Sequence, residues 1–280
     1  MAIDHISDTA RWVALCRTME SERPDALFHD PYARKLAGAK GEALIGQLGR
    51  ARQMAWSMIV RTAVFDELIQ ERVAAGADLV VNLAAGFDAR PWRLPLPETL
   101  RWVDVDFPAV LHEKTEQMRE VAPHCRYEAM PVDLTDATAR RALLARLGAQ
   151  SERALVVAEG LLIYLTAEQV DGLGRDLHQA GFRWWLVDLA SPRLLAIMER
   201  YWGDALRDHA PFQFAPAEGT DFFRPAGWRE VVFRSTMEEA RRLKRELRWM
   251  PFYRFLGRFR SRAFREEMRR MSGFVLLERA

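Results

Sequence analysis

The chain has 280 residues, of which 49% are hydrophobic and 29% are charged, with 41 basic and 39 acidic side chains. This near-balance of charge does not by itself indicate a nucleic-acid or membrane-surface partner. Its 2 cysteines are too few to crosslink a fold of this size, which is typical of a reducing compartment. No apolar run reaches the roughly 18 residues that a membrane span needs, and the N-terminus lacks a hydrophobic signal segment. We therefore expect a soluble, cytoplasmic protein.

Helical periodicity predicts three helices in the first 75 residues, at Asp8–Glu20, Pro31–Ala37 and Gln53–Ala75. Strands and helices then alternate, which predicts an α/β fold with a parallel sheet covered on both faces. The predicted strands are 79–84, 101–106, 126–132, 154–158 and 183–189, and the predicted helices are 108–121, 135–147 and 167–180.

The last third of the chain is less regular. Residues 191–227 contain several aromatics and prolines, among them Pro211, Pro216 and Pro225, and they are predicted to cap the strand ends, where open α/β sheets bind ligands. A strand at Trp228–Arg234, a helix at Ser235–Leu247 and a strand at Gly273–Glu278 follow. We expect one domain over 1–280, with a helical region (1–75), a cofactor-binding core (76–190), this cap and a C-terminal part (228–280).

The turn after the first predicted strand is the most informative feature. The strand ends at Ala84-Ala85-Gly86, and Asp106 closes the next strand about 20 residues later, the arrangement by which α/β sheets bind a nucleoside ribose. The turn lacks a G-x-G-x-x-G pattern, and Asp88 stands where a dinucleotide would place its pyrophosphate. A carboxylate there repels phosphate but tolerates an adenosine ligand with a cationic sulfur. The turn therefore favours S-adenosyl-L-methionine over NAD as the ligand.

The sequence NLAAGFDARPWRL followed by VDVDFP resembles the signature of the leucine carboxyl methyltransferase family, whose usual form is close to NLGAGxDTRxxRL. Further matches at 7–38 and 156–170 extend the resemblance over the first two-thirds of the chain. Ala84 replaces the first glycine of the turn, and Ala89 replaces the threonine after Asp88. The resemblance implies a class I S-adenosyl-L-methionine-dependent methyltransferase with a seven-stranded, doubly wound Rossmann-like sheet whose last strand is inserted antiparallel. The family includes O-methyltransferases of polyketide and other secondary metabolism.

Candidate cofactor ligands follow from the turn and from the resemblance. Asp106 is the expected acceptor for the ribose diol, with Ala84 and Gly86 allowing close backbone approach; the alternative for Asp106 is an N-cap for the helix at Pro108 or a turn carboxylate before it. Asp104 lies deeper on the same strand face and is the weaker candidate. The resemblance assigns Arg17 and Arg61 to the carboxylate of the cofactor, and an arginine fork suits a carboxylate. The alternative for both is a solvated helix arginine.

The resemblance also implies that Asp133 and Leu134 flank the adenine and that Glu159 faces the methionine moiety. Asp133 has an alternative role as the N-cap of a helix beginning at Thr135. Arg90 and Arg93 are expected to be structural, through pairing with Asp88 and nearby loops. No residue is assigned to catalysis.

The six histidines and two cysteines show no metal-binding spacing, so we expect a metal-independent transferase. A carboxylate acceptor needs no general base at neutral pH, whereas a hydroxyl does, and no histidine stands at a motif position. This favours methylation of a carboxylate on a small molecule. Two alternatives remain: a catalytically silent ligand- or partner-binding protein, and a dinucleotide-dependent reductase.

Residues 248–270 combine arginines with closely spaced aromatic residues. Such mixtures bind nucleic acid, anionic membranes or acidic substrates. We expect instead an amphipathic helix pair that packs its aromatics inward and covers the acceptor side, with an acidic small-molecule acceptor as the main alternative and no nucleic-acid partner.

Overall fold

The computed structural model describes residues 6–47, 51–206 and 211–280. Three helices come first, as expected: α1 (Ile6–Ser21), α2 (Ala33–Gln47) and α3 (Ala51–Ala74). The rest of the chain alternates strands with helices, in the order β1 (Leu79–Leu83), α4 (Arg90–Arg93), β2 (Arg101–Asp106), α5 (Pro108–Met118), β3 (Arg126–Pro131), α6 (Ala137–Gly148), β4 (Ala154–Ala158), α7 (Ala167–Gln179), β5 (Trp184–Ala190), α8 (Pro192–Leu206), β6 (Trp228–Ser235), α9 (Thr236–Arg242), α10 (Met250–Gly257), α11 (Arg262–Arg269) and β7 (Ser272–Arg279).

The described strands form one sheet of 7 strands in the order β3-β2-β1-β4-β5-β7-β6. The first five pair in parallel, whereas β7 runs antiparallel between β5 and β6. The predicted doubly wound sheet with an inserted antiparallel strand is therefore confirmed. The chain reverses its winding direction between β1 and β4, and ligands of open α/β sheets bind at the carboxyl ends of strands at such a point.

Both faces of the sheet are apolar because its central strands are covered on both sides by helices. On one face, α3 packs Val60, Val64 and Leu68 against the sheet. On the other, α6 and α7 pack against side chains such as Val81 and Val156. Trp184 and Trp185 are neighbours on β5 and enter opposite core clusters, as the alternation of side chains along a strand requires.

Several boundaries differ from the prediction. Helix α6 begins at Ala137 with Asp136 as its N-cap, so the interpretation of Asp133 as an N-cap is wrong. Helix α9 ends at Arg242, well before Leu247. The stretch predicted only as a cap contains helix α8 and a 3-10 helix at Gly219–Ala226.

The segment 248–270 does contain two helices, α10 and α11, but four of its aromatics are not packed inward. Trp249 and Phe259 are 70% and 77% exposed, and Phe252 and Phe255 are more than half exposed. The expectation of buried aromatics is wrong for these four side chains, because no other part of the described chain covers them. Among the described residues, no helix is long and apolar enough to cross a membrane.

Candidate functional site

A cavity of about 580 Å³ opens at the carboxyl ends of β1, β2, β4 and β5. Helices α1 and α3 supply one wall, and residues from α8, α9 and the chain around Phe212 supply another. The cavity thus lies at the point where the sheet changes its winding direction, where a ligand of this fold is expected. All eight predicted site residues line it: Arg17, Arg61, Ala84, Gly86, Asp106, Asp133, Leu134 and Glu159.

The turn after β1 has two residues in the left-handed backbone region. Gly86 has φ of 50°, and Ala84, which stands where the family usually has glycine, has φ of 52°. A side chain at Gly86 would place its Cβ 3.0 Å from the Cβ of Ala10 on α1. The turn is therefore held against the N-terminal helix, and its backbone borders the cavity.

Asp106 ends β2 across from this turn. Its Oδ2 accepts a hydrogen bond from the Gly86 N–H at 2.7 Å, and its Oδ1 accepts one from the Phe107 N–H at 2.7 Å. Burial raises the pKa of Asp106 above its usual value, and these two backbone donors partly oppose the rise. The capping alternative is wrong, because Phe107 is the N-cap of α5 and no side chain caps it.

Asp104 lies deeper, as predicted, and belongs to the interior. Its carboxylate accepts from Lys114 Nζ at 2.6 Å, from the Trp102 indole N–H at 2.8 Å and from the Tyr127 hydroxyl at 2.9 Å. Asp104 and Lys114 are both fully buried. This closed network leaves Asp106 as the carboxylate of β2 that borders the cavity.

Arg61 lies at the centre of a charged cluster at the ends of β4 and β5. Its Nε donates to Glu159 Oε1 at 3.0 Å and its Nη1 to Asp188 Oδ2 at 3.1 Å. Within the described part of the chain, Nη2 donates no hydrogen bond, so it remains available to a ligand. Burial lowers the pKa of Arg61, but Asp188 and Glu159 more than offset this, and the net shift is upward.

Asp188 was not among the predicted site residues. It lines the cavity, pairs with Arg61 and accepts a hydrogen bond from the Gly160 N–H at 2.7 Å. The signal that identified Glu159, a carboxylate near the end of an otherwise apolar buried strand, is also present in the sequence WWLVDLA of β5. The same strand-end signal, applied to β5, identifies Asp188 as a candidate site residue.

Arg17 borders the cavity but is engaged by the protein. Its Nε donates to Asp30 Oδ2 at 2.8 Å and its Nη2 to the Phe87 carbonyl at 2.6 Å. It is therefore not a solvated helix arginine, and it fixes the position of the turn through Phe87. A role at the cofactor carboxylate remains a prediction.

Arg90 and Arg93 have the expected structural partners. Arg90 contacts Asp66, Asp88 and Glu159, and Arg93 contacts Asp66. Burial alone would raise the pKa of Asp88, but the nearby cations, Arg90 foremost, hold it well below its usual range. Asp88 is thus compensated from within the protein, so its charge is a weak argument against a phosphate-containing ligand.

Asp133 and Leu134 follow β3 at the far end of the cavity. Asp133 Oδ1 accepts from the backbone N–H of Thr135 at 2.8 Å and from its hydroxyl at 2.7 Å. Leu134 is partly buried and packs against the core cluster around β1 and β4. The pair therefore offers one exposed carboxylate and one apolar side chain at the same edge.

The opposite half of the cavity is mostly apolar. Among the described lining residues, the cations are Arg17, Arg61 and Arg90, and none of them belongs to this half. Its polar groups include Gln213 and the hydroxyls of Thr236 and Ser272, which lie 2.9 Å apart. The apolar lining residues of this half include Leu194, Met198, Phe212, Met237, Met250 and Met271.

Comparisons with known proteins agree with this geometry. The sequence model of the family described as leucine carboxyl methyltransferase matches residues 10–178. A relative from Parafrankia, provisionally named an S-adenosyl-L-methionine-dependent methyltransferase, is 37% identical over 61% of this chain and 58% of its own length. One from Saccharopolyspora erythraea with the same provisional name is 32% identical over 81% of this chain and 84% of its own.

Solved structures with the same fold have low sequence identity to this chain. A protein from Thermobifida fusca, provisionally named a methyltransferase, has a TM-score of 0.56 at 14% identity, over 95% of this chain and 94% of its own. A duf574 family protein from Streptomyces avermitilis has a TM-score of 0.55 at 13% identity, over 97% of both chains. These likenesses establish the fold alone.

The sheet, the cavity at its switch point and these matches define a class I methyltransferase fold. The chain belongs to the leucine carboxyl methyltransferase family, since the family model matches more than half of it. The family resemblance seen in the sequence is therefore confirmed. The alignments span about three-fifths of the length of the first relatives, at 58%, 61% and 60%.

Proposed function

We propose that the chain is an S-adenosyl-L-methionine-dependent O-methyltransferase that methylates a carboxylate or hydroxyl of a small molecule, with a carboxylate favoured. The observation that carries the proposal is the division of one cavity into a charged half, around Arg61 and Asp106, and an apolar half. The charged half suits the polar groups of the cofactor, and the apolar half suits an acceptor. Membership of the family and the provisional names of the relatives support the same activity.

The charged half offers a donor set that fits the cofactor. Asp106 is an acceptor for a ribose diol, and Arg61 has a nitrogen free for a carboxylate while Glu159 and Asp188 offer acceptors for an ammonium group. A side chain at Gly160 would come within 2.8 Å of Arg61 Nη1, so glycine there keeps this corner open. The cofactor supplies an electrophilic methyl group on a positively charged sulfur.

The work of the protein is then positioning and exclusion of water. The apolar side chains of the second half would hold an acceptor and desolvate it, which strengthens the electrostatic interactions in the site. The titratable groups known to line the cavity include no histidine, cysteine or lysine, and Glu159 and Asp188 are both paired with Arg61. With Asp106 and Asp133 assigned to the cofactor and Asp88 paired with Arg90, the described lining leaves no carboxylate, histidine, cysteine or lysine to act as a general base, which favours an acceptor that is already ionised.

Calorimetric titration of the full chain tests the cofactor. We expect binding of S-adenosyl-L-methionine and S-adenosylhomocysteine and none of NAD or NADP. Arg61→Ala should weaken S-adenosylhomocysteine binding roughly ten- to a hundredfold, since a charge-assisted hydrogen bond contributes about 1.5–3 kcal/mol. A matched control is Arg234→Ala, which also removes an arginine paired with two carboxylates, Glu67 and Glu71, but outside the cavity.

The acceptor group is tested by transfer from methyl-labelled cofactor to candidate small molecules. A methylated carboxylate is an ester and releases labelled methanol on mild alkaline treatment, whereas a methylated hydroxyl is an ether and keeps its label. Alkali-labile label would support carboxylate methylation. Alkali-stable label would support a hydroxyl acceptor, and tight NAD binding without S-adenosylhomocysteine binding would overturn the whole proposal.

A further inference from the structure

Within the described part of the chain, exposed aromatic side chains are concentrated in one segment. Seven large hydrophobic residues are exposed among the described residues, and five of them lie within residues 247–259. We call Trp249, Phe252, Phe255 and Phe259 the aromatic surface, together with four exposed arginines beside them: Arg248, Arg258, Arg262 and Arg265. Exposed apolar side chains scattered singly are normal, but a cluster of this kind marks an interaction site.

The four aromatics form a stripe instead of a random scatter. Trp249, Phe252 and Phe255 recur every three residues along α10 and its N-terminal edge, a spacing that keeps side chains on one side of a helix. Phe259 extends the stripe past the end of α10, with its ring 5.5 Å from that of Phe255 in an edge-to-face arrangement. The protein itself holds these rings together on its exterior.

Positive charge surrounds the stripe without compensation. Arg248, Arg258, Arg262 and Arg265 are exposed, and no carboxylate among the described residues pairs with them. By contrast, Arg269 and Arg270 at the end of α11 are paired with Glu266 and Glu230. Four exposed arginines without a carboxylate partner therefore flank the aromatic side chains, although the chain as a whole carries a formal charge of only +2.

The aromatic surface lies next to the cavity. Met250 follows Trp249 directly and lines the cavity, and Met271 and Ser272, which follow α11, line it as well. The segment between them, which carries the aromatic surface, therefore begins and ends at the apolar half of the cavity. A partner bound to the aromatic surface would therefore lie beside the apolar half of the cavity.

We propose that the aromatic surface docks the protein on an anionic lipid surface. Aromatic and apolar side chains that enter the headgroup region, flanked by arginines that attract anionic lipids, are the chemistry of interfacial membrane binding. This docking involves no membrane-spanning segment, and it is independent of the proposed methyl transfer.

Two other occupants fit less well. A second copy of the chain placed on the same surface would bring unpaired arginines against unpaired arginines, which is unfavourable. A nucleic acid needs ring faces on which bases stack, but the rings of Phe255 and Phe259 lie edge to face at 82° and do not form parallel stacking platforms. Charge complementarity and the absence of polar atoms on three of the four rings favour lipid.

Co-flotation of the full chain with vesicles tests the proposal. We expect binding to phosphatidylcholine vesicles that contain phosphatidylglycerol, and at least about tenfold weaker binding to phosphatidylcholine alone. Trp249→Ala combined with Phe252→Ala should weaken binding to the anionic vesicles at least about tenfold, because both rings would otherwise leave water. Val231→Ala, an exposed apolar residue on β6, is the matched control and should bind like the parent.

Charge is tested separately. Arg258→Glu with Arg262→Glu should abolish binding to anionic vesicles, whereas Arg175→Glu with Arg224→Glu changes the net charge equally and should bind like the parent. Arg224 is a suitable control because it precedes β6, at the opposite end of the β6–β7 pair from α11. Far-ultraviolet circular dichroism confirms that all variants are folded.

Three outcomes would overturn the proposal. The first is no flotation of the parent with anionic vesicles at low salt. The second is equal flotation of the parent and the aromatic variant. The third is that the parent does not bind vesicles but, through the same residues, either shifts RNA or DNA in a gel or self-associates in analytical ultracentrifugation. Because S-adenosylhomocysteine binding is measured independently, failure of docking leaves the proposed methyl transfer unaffected, and the converse also holds.

Discussion

Ala84 lies in a backbone conformation that favours glycine, so replacing it by glycine is expected to stabilise the folded protein. Its φ is 52°, in the left-handed region, and the family signature that the sequence resembles has glycine at this position. A residue with a Cβ costs roughly 1–2 kcal/mol in this conformation. Glycine avoids that cost but loses about 0.5–1 kcal/mol more conformational freedom on folding than alanine does. Ala84→Gly should therefore stabilise the protein by about 0.5–1 kcal/mol.

The neighbouring alanine is the matched control. Ala85 is 7% exposed and is not among the residues with positive φ. Replacing it by glycine adds flexibility and removes a buried methyl group, so Ala85→Gly should destabilise the protein by about 1–2 kcal/mol. The same alanine-to-glycine change is thus expected to alter the free energy of unfolding in opposite directions at two adjacent positions.

Equilibrium urea unfolding measures both variants, with the denaturant dependence of the free energy of unfolding expected to stay unchanged. Ala84→Gly should also keep its affinity for S-adenosylhomocysteine, because the Gly86–Asp106 hydrogen bond does not involve residue 84. If Ala84→Gly lowers the free energy of unfolding as much as Ala85→Gly does, the left-handed turn carries no strain and the reasoning fails.

Two further predictions concern the carboxylates. Asp106→Asn should weaken S-adenosylhomocysteine binding roughly ten- to a hundredfold. Asp104→Asn should instead lower the thermal unfolding midpoint and leave the affinity for S-adenosylhomocysteine unchanged. Calorimetry and thermal scans on both variants check this, and similar losses of binding in the two variants would contradict the assignment of Asp104 to the interior. The folded-state pKa of Asp88 is depressed, so its ionised form contributes stability above its unfolded-state pKa of about 3.9, and this contribution is lost as the pH falls towards the folded-state pKa. The free energy of unfolding of Asp88→Asn should therefore lie below that of the parent at neutral pH, and urea titrations should show the gap closing below about pH 4; a gap that is constant with pH would contradict the assignment.

Much of the sheet and its order of elements was predictable because its signals are local. The apolar run at Leu79–Leu83 and the turn after it define β1 without reference to the rest of the chain. The tight turn and Asp106 are likewise fixed by two strands that neighbour each other in sequence and in space. Site residues at strand ends could therefore be identified from strand boundaries and from the family resemblance.

What could not be predicted depends on contacts between distant parts of the chain. Arg61 is joined to Asp188 across 127 residues, and Arg17 reaches the Phe87 carbonyl across 70. No periodicity reports such pairs: the strand-end signal marks Asp188 as a candidate but does not reveal its partner Arg61, and the helical position of Arg17 does not reveal its bonds to Asp30 and to the Phe87 carbonyl. The expected burial of the aromatics in and beside α10 is wrong for a different reason. It rests on composition, but the rest of the described fold provides no surface to cover these side chains.

The division of the cavity largely follows the extent of the family match. The match ends at residue 178, and it contains Arg17, Arg61, Asp106 and the other predicted cofactor ligands, although Asp188 lies beyond it. The lining residues from Leu194 to Met271, which belong to the apolar half, all lie beyond the match. The part shared with the family therefore supplies most of the half proposed for the cofactor, and the part outside the match supplies side chains of the half proposed for the acceptor. Because α10 and α11 belong to this second part, the acceptor and the lipid surface proposed here must be determined on this chain and cannot be transferred from its relatives.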